Sequence, residues 1–205
     1  DSEEENFSDY LQEYRIRDLI RKYSDYIRYP IRMEVTRSRK VEGSPEDKPE
    51  FERYTELETL NSMVPIWQRP KKDVTEEEYE TFYREKFFDY NKPLRTIHSS
   101  AEGSVSFKAL LYVPGKAPYD FYTREYQKGL QLYSSGVMIM DKCADLLPDH
   151  FRFVKGVVDS ADFSLNISRE VLQHDRQLKV IAGALEKKIK NELLRLLKDD
   201  REKYE

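Results

Sequence analysis

The chain has 205 residues, of which 35 are basic and 39 acidic, and its formal net charge is −4 at pH 7. Charged residues make up 36% and aromatic residues 13% of the chain, a composition that excludes wholesale disorder, because disordered chains contain few aromatic residues. The acidic balance argues against a dedicated nucleic-acid binder, and no apolar run reaches the about 18 residues of a membrane-spanning helix. We therefore expect neither a nucleic acid nor a membrane as partner.

The cysteine and glycine content further narrows the possible cellular compartment and the possible kinds of binding site. The single cysteine, Cys143, excludes an intramolecular disulfide and is typical of a reducing compartment, so the sequence predicts a cytoplasmic protein. Only seven glycines are present, and neither GxGxxG nor GxxxxGK[ST] occurs, which argues against a glycine-rich phosphate loop within this chain.

The N-terminal part of the sequence contains an acidic block followed by a basic block. Residues 1–10 contain five acidic residues and no basic one, which indicates an acidic linker. The range from Arg15 to Lys40 contains nine basic residues and only three acidic ones. This basic block is either an anion-binding surface or the solvated side of a helix and a strand. Apolar residues at three- and four-residue steps predict an amphipathic helix over 11–27.

A hairpin and an apolar loop come next. Alternating apolar and polar residues predict a strand over 31–36, and a second strand over 51–60 completes a hairpin with a long charged loop. Residues 61–74 show no hydrophobic period, yet they carry four apolar side chains, namely Met63, Val64, Ile66 and Trp67. Apolar residues in such a loop point to a functional surface.

The second half of the chain alternates strands with helices. Thr75 and Glu78 form a capping box, which predicts a helix over 75–88. Apolar residues at helical spacing predict a long helix over 178–197. Strands are predicted over 104–113, 130–133, 137–141 and 151–159, with a turn over 145–149. This order predicts a layered α/β arrangement in a single domain, with a mixed sheet covered by helices.

The histidines and the cysteine of the sequence give little support for a metal site or a catalytic nucleophile. His98, His150 and His174 have no partner at metal-ligand spacing, so no metal site is expected. His98 beside Ser99-Ser100, or His174 beside Asp175, could form a hydrolase pair, but without a GxSxG elbow these histidines are better interpreted as surface residues. Cys143 is interpreted as a buried, inert thiol.

The segment 159–173 stands apart because it joins a strand to a helix and carries polar groups suited to phosphate. Ser168 can cap the helix, Arg169 and Gln173 project from the same helix face, and Asn166 lies just upstream. A guanidinium and two amides at a helix start suit phosphate oxygens. The alternative is a helix cap with an Arg–Glu surface pair.

Several stretches resemble the middle domain of the ninety-kilodalton heat-shock chaperones, in the bacterial form of that family. The most specific is the run from Phe151 through Leu165-Asn166-Ile167-Ser168-Arg169-Glu170 to Gln173. Supporting stretches are Val64–Trp67, Thr75–Tyr79 with Phe82-Tyr83, Leu110–Pro114, Ala117–Asp120 and Val137–Asp141.

The resemblance implies an α/β/α layered sandwich with a mixed sheet, followed by the start of a helical connector. It divides the chain into an acidic linker (1–10), an α/β/α core (11–174) and a truncated connector helix (175–205). The resemblance further implies that the N-terminal ATP-binding domain and the C-terminal dimerisation domain of the family are absent from this chain.

The resemblance also implies a function, that of a homodimeric, ATP-driven chaperone. The catalytic-loop arginine of the family falls on Arg169, which would reach the terminal phosphate of ATP, held with Mg²⁺ by the N-terminal domain, and Gln173 and Asn166 match its companions. Unfolded or partly folded client proteins are the expected partners. Met63, Ile66 and Trp67 resemble the client-contact loop, with Trp67 exposed; the alternative packs Trp67 against the helix over 75–88.

Two other functions stay open. The chain could be a docking module in which Arg169 and Gln173 are structural, with no catalytic part. An autonomous hydrolase that uses His174 and Asp175 has the weakest support.

Overall fold

The computed structural model of the chain describes residues 12–41, 44, 49–163 and 176–204. The described residues form two compact units, one ending at Met63 and the other beginning at Val64. None of the described helices is both long enough and apolar enough to cross a membrane.

The first unit contains a helix and a two-stranded sheet. Helix α1 (Glu13–Leu19) continues as a π-helical turn over Ile20–Ser24, so the helix predicted over 11–27 is present but changes its hydrogen bonding midway. Strand β1 (Arg32–Lys40) pairs antiparallel with β2 (Phe51–Thr59), which confirms the predicted hairpin. Val35 supplies the buried side chain of β1, with 1% of its surface exposed.

The second unit is built on a five-stranded sheet. Its strands, in spatial order, are β3 (Arg95–Ala101), β4 (Phe107–Val113), β7 (Lys155–Asp159), β5 (Leu130–Ser134) and β6 (Val137–Cys143). Strands β5 and β7 run parallel, and the other neighbouring pairs run antiparallel. The mixed sheet is therefore confirmed.

Several further local elements depart from the sequence prediction. The strand predicted over 104–113 begins only at Phe107. Strand β3 was not predicted, and the strand predicted over 151–159 begins only at Lys155, because a 3-10 turn occupies Asp149–Phe151. Further 3-10 turns span Ile66–Gln68, Lys71–Asp73 and Ala144–Leu146.

Helices cover both faces of the sheet. Helix α2 (Glu76–Phe87) starts at the predicted capping box, and the Tyr112 hydroxyl of β4 donates to the Tyr79 carbonyl of this helix at 3.0 Å. Leu111, the neighbour of Tyr112, belongs to the core cluster of helix α3 (Arg176–Asp199). Because successive strand residues point to opposite faces, the two helices lie on opposite sides. This arrangement confirms the α/β/α sandwich.

Helix α3 packs closely on the sheet. Four of its buried residues recur at helical spacing and lie in one cluster with the inward residues of β4, β5 and β7: Leu178, Ile181, Leu185 and Ile189. The helix that the resemblance assigns to a connector thus contributes directly to the sheet's core, and a four-residue helix α4 (Arg201–Tyr204) follows it. Gly156 of β7 allows the close approach of β4, since a Cβ there would overlap the Leu110 carbonyl oxygen.

Candidate functional site

The residues assigned to catalysis lie outside the described part of the structure. Asn166, Arg169 and Gln173 fall in 164–175, as do His174 and Asp175, so their arrangement stays a prediction. The structure describes the chain on both sides of this segment, and these two flanks form the framework of the candidate site.

Asp159 is the last residue of β7 and marks the start of the upstream flank. Only 3% of its surface is exposed, and its Oδ2 accepts hydrogen bonds from Trp67 Nε1 at 3.0 Å and from Gln68 Nε2 at 2.8 Å. A buried carboxylate is costly unless donors satisfy it, so these two bonds explain how the sheet tolerates it. This role of Asp159 is not part of the sequence prediction, although its position directly after the apolar pair Val157-Val158 is a signal for it.

Further bonds fix the residues between Asp159 and the catalytic segment. The Ser160 amide donates to the Tyr133 carbonyl at 3.1 Å, and the Ser160 hydroxyl donates to the Ser106 carbonyl at 2.6 Å. The Ser134 hydroxyl donates to the carbonyl of Phe163 at 2.7 Å. The upstream flank is therefore held to both β5 and the residue that precedes β4.

The downstream flank is helix α3. Its first buried residues, Leu178 and Ile181, are 2% and 0% exposed and share the core cluster that contains Phe163. The described residues on the two sides of 164–175, Phe163 and Leu178, are thus part of one hydrophobic core. Close-packed cores deform little, so these two flanks form a rigid framework.

The predicted exposure of Trp67 is wrong. Trp67 is 0% exposed, and its ring lies 5.8 Å from that of Phe82 and 5.1 Å from that of Tyr133, centroid to centroid. The 3-10 turn directs the indole inward, where its N–H reaches Asp159. The packing against the helix that begins after Thr75 is therefore the correct alternative.

The other residues of the apolar loop are more accessible than Trp67. Ile66 in the second unit and Met63 in the first unit are half-buried, while Val64 is 65% exposed. Their assigned contact with client proteins stays a prediction.

His98 is half-buried and hydrogen-bonded through both ring nitrogens, whereas the sequence predicted a surface residue. The Trp67 carbonyl can only accept, so His98 Nε2 donates to it at 3.2 Å, and Nδ1 accepts from the Tyr79 hydroxyl at 2.6 Å. Burial lowers the pKa of His98, which favours this neutral form. Ser99 follows His98 in β3 and so points to the opposite face. Both ring nitrogens of His98 are engaged by Tyr79 and Trp67, so His98 forms a hydrolase pair with neither Ser99 nor Ser100.

The described structure also gives little support for a catalytic nucleophile or a metal site at the remaining cysteine and histidine residues. Cys143 is buried, as predicted, and burial raises its thiol pKa to about 11, which disfavours the reactive thiolate. His150 is exposed, with Nε2 3.8 Å from Glu186 Oε1. Across residues 12–41, 44, 49–163 and 176–204, no group of three or more His, Cys, Asp or Glu side chains is arranged to hold a metal ion.

Arginines of the basic block pair with the acidic strand β2. Arg17 binds both carboxylate oxygens of Glu58, at 2.9 and 2.6 Å, and Arg37 Nη2 donates to the same carboxylate at 2.6 Å. Hydrogen bonds from Arg17 and then Arg37 lower the pKa of Glu58 to about 2. Arg39 donates to Glu52 in the same way. For these arginines the geometry favours a solvated, paired surface over an anion site.

Comparison with known proteins identifies the family to which the chain belongs. The family model described as Hsp90 protein matches residues 9–53 and 45–205. The chain belongs to the Hsp90 family, which confirms the resemblance drawn from 151–173.

Individual relatives specify the bacterial type. The chain is 57% identical over 205 residues to the Chaperone protein HtpG of Alkaliphilus oremlandii and 58% identical over 204 residues to that of Clostridium botulinum. It is 57% identical over 204 residues to the HtpG protein of Alkaliphilus metalliredigens. In each case the match covers 100% of this chain and 32% of the relative. The chain thus spans about a third of the length of these curated relatives.

Proposed function

We propose that the chain is the middle part of an ATP-dependent molecular chaperone that acts as a homodimer in the cytoplasm. Family membership and relatives whose names call them chaperones support this proposal. Because the chain spans 32% of a typical relative, we assign ATP and Mg²⁺ binding to an N-terminal domain and dimerisation to a C-terminal domain of the whole protein.

Within this chaperone, Arg169 serves the nucleotide held by the N-terminal domain. A guanidinium offers a planar fork of donors to phosphate oxygens, and its charge stabilises the negative charge that develops on the transferred phosphoryl group. Asn166 and Gln173 would orient it. The observation that supports this role is the framework: the chain on both sides of 164–175 is fixed to one core through Phe163 and Leu178.

Supply of the arginine by a separate domain would make hydrolysis depend on domain docking. The nucleotide would bind without Arg169, and turnover would begin only when the two domains meet. We therefore expect Arg169 to affect the rate far more than the affinity for nucleotide.

The client surface is the second part of the proposal. Unfolded chains expose apolar side chains, and promiscuous binders meet them with accessible, adaptable apolar residues. Ile66 and Met63 stay our candidates, each within its own unit, and the 65% exposed Val64 adds apolar surface next to Ile66. Trp67 contributes indirectly, because it holds the turn that carries Ile66.

Steady-state ATP turnover and nucleotide affinity of the whole protein test the catalytic role. We expect Arg169→Ala to lower turnover about a hundredfold or more and to change affinity less than about twofold, as for a group that acts in the transition state. Arg176→Ala is the matched control, because Arg176 is an exposed arginine at the start of α3, and it should leave both quantities unchanged. Unchanged turnover in a folded Arg169→Ala protein would contradict the proposal and favour the docking module.

A further inference from the structure

The outer face of helix α3 carries a row of lysines to which the proposed function assigns no task. The opposite face of this helix packs on the sheet through Leu178, Ile181 and Leu185. The outer face follows steps of three and four residues, and all of its members are exposed: Lys179, Gly183, Lys187, Lys190, Leu194 and Lys198. Because an α-helix repeats every 3.6 residues and rises 1.5 Å per residue, these positions form one row about 28 Å long. The row contains no acidic and no aromatic residue.

The four lysines of the row are not neutralised by the acidic residues of the same helix. Glu186 Oε1 lies 3.8 Å from His150 Nε2, and Glu192 Oε1 accepts from Arg195 Nη1 at 2.7 Å. Within the part of the chain that the structure describes, none of the four lysines forms an ion pair. An anion that lies along the row is therefore attracted by several positive charges at once.

Gly183 leaves the middle of the row open. A glycine inside a helix is less stabilising than an alanine, and tight packing does not explain this one, because a Cβ at Gly183 would meet no atom within 4 Å. A ligand can thus approach the helix backbone closely between Lys179 and Lys187. An open centre with positive charges on both sides suits a long, narrow anion.

We propose that this row binds a linear polyphosphate chain. The lysine ammonium groups are compact point charges that bind phosphate oxygens without a fixed orientation, so successive phosphates of one chain can contact successive lysines. Single-stranded nucleic acid fits less well, because its bases stack on aromatic side chains and the row has none. A membrane surface also fits less well, because helices that lie on membranes insert an apolar face, whereas the large apolar side chain of this row is Leu194 alone, 45% exposed.

The salt dependence of binding tests how much of the row is used. Fluorescence anisotropy of end-labelled inorganic polyphosphate, titrated with the whole protein, gives the binding constant at each salt concentration. Four lysine–phosphate contacts should give a slope of log K against log salt of about −3, at about −0.7 for each phosphate. Tripolyphosphate is too short to span the row and should give a slope of about −1. Equal slopes for the long and the short anion would overturn the proposal.

Two neighbouring lysines on α3 provide matched variants. Lys187 belongs to the row, whereas Lys188 is equally exposed but lies outside it. Loss of one phosphate contact should weaken binding about fivefold at 0.1 M salt, so we expect this effect for Lys187→Gln and less than a twofold effect for Lys188→Gln. Equal weakening by the two variants would show attraction to the overall charge of the helix and would overturn the proposal.

A second pair of variants tests the open centre of the row. Gly183→Glu and Gly183→Gln add side chains of similar size where a Cβ meets no other atom, and only glutamate adds a repelling charge. We expect Gly183→Glu to weaken polyphosphate binding more than Gly183→Gln does, and equal binding would contradict the proposed path of the chain. Far-ultraviolet circular dichroism establishes that each variant is folded at the temperature of the titration.

Competition identifies the class of anion. At matched concentrations of negative charge, polyglutamate, a single-stranded RNA oligonucleotide and phosphatidylglycerol vesicles should each displace the labelled chain less than unlabelled polyphosphate does. A competitor that displaces it equally well or better overturns the assignment, and it identifies an acidic protein, a nucleic acid or a membrane as the occupant instead.

Discussion

Replacement of Trp67 by alanine is the most direct test of the corrected loop structure. Its side chain is fully buried against the rings of Phe82 and Tyr133 and donates to Asp159. Truncation of a buried Trp to Ala costs about 3–5 kcal/mol through lost transfer energy and the cavity that remains. Loss of one donor to a buried carboxylate adds about 1–3 kcal/mol. Because the two contributions overlap, we expect Trp67→Ala to lower the free energy of unfolding by about 4–6 kcal/mol.

Two matched variants separate the contribution of ring packing to this loss of stability from that of the hydrogen bond. Trp67→Phe keeps most of the ring contacts and removes the N–H donor, so it should cost about 1–3 kcal/mol. Tyr119→Ala removes an aromatic side chain that is 99% exposed in the same unit, so its effect should stay within about 0.5 kcal/mol.

Urea unfolding followed by far-ultraviolet circular dichroism measures these differences. Because Trp67 is the only tryptophan of the chain, its fluorescence reports on this site alone, and emission should be blue-shifted in the native protein and move to longer wavelength on unfolding. A cost below about 1 kcal/mol for Trp67→Ala, too small for a buried aromatic residue, would refute the packing argument. Normal stability combined with lost binding of an unfolded client would instead favour a client contact by Trp67 itself.

Two further predictions concern titratable groups. The pKa of Glu58 is lowered from 4.5 to about 2 by Arg17 and Arg37, so its stabilising contribution is complete above 4.5 and is lost as pH falls toward 2; Glu58→Gln should flatten the acid dependence of the first unit's unfolding midpoint, and an unchanged slope would contradict this. Because burial raises the pKa of Cys143 to about 11, a disulfide reagent at pH 8 should modify the thiol far more slowly in the native protein than after unfolding, and equal rates would contradict the burial.

Elements with a strong local signal could be predicted from the sequence. The capping box of α2 is made by Thr75 and Glu78, which are three residues apart and satisfy each other's backbone amides. The periodicity that predicts α3 over 178–197 also reports directly on the face that the sheet covers. In both cases the interactions that define the element lie within a few turns of the chain, so the residue pattern alone contains the information.

Elements whose stability comes from distant partners could not be predicted. Strand β3 alternates poorly because His98, on its α2 face, is polar and is accommodated only by the Tyr79 hydroxyl and the Trp67 carbonyl. The residue pattern that predicts one helix over 11–27 likewise does not reveal the π-helical turn at Ile20–Ser24.

The candidate site shows the same division between sequence and structure. The sequence by itself determined the family, the order of most helices and strands, and Arg169 as the residue to test. Only the tertiary structure decided that Trp67 is buried and that Asp159 is its acceptor, since these residues are 92 positions apart. An apolar side chain in an irregular loop is equally compatible with solvent and with a core. Its burial depends on whether folding brings apolar rings and a hydrogen-bond acceptor next to it. The local sequence pattern does not predict such a long-range contact.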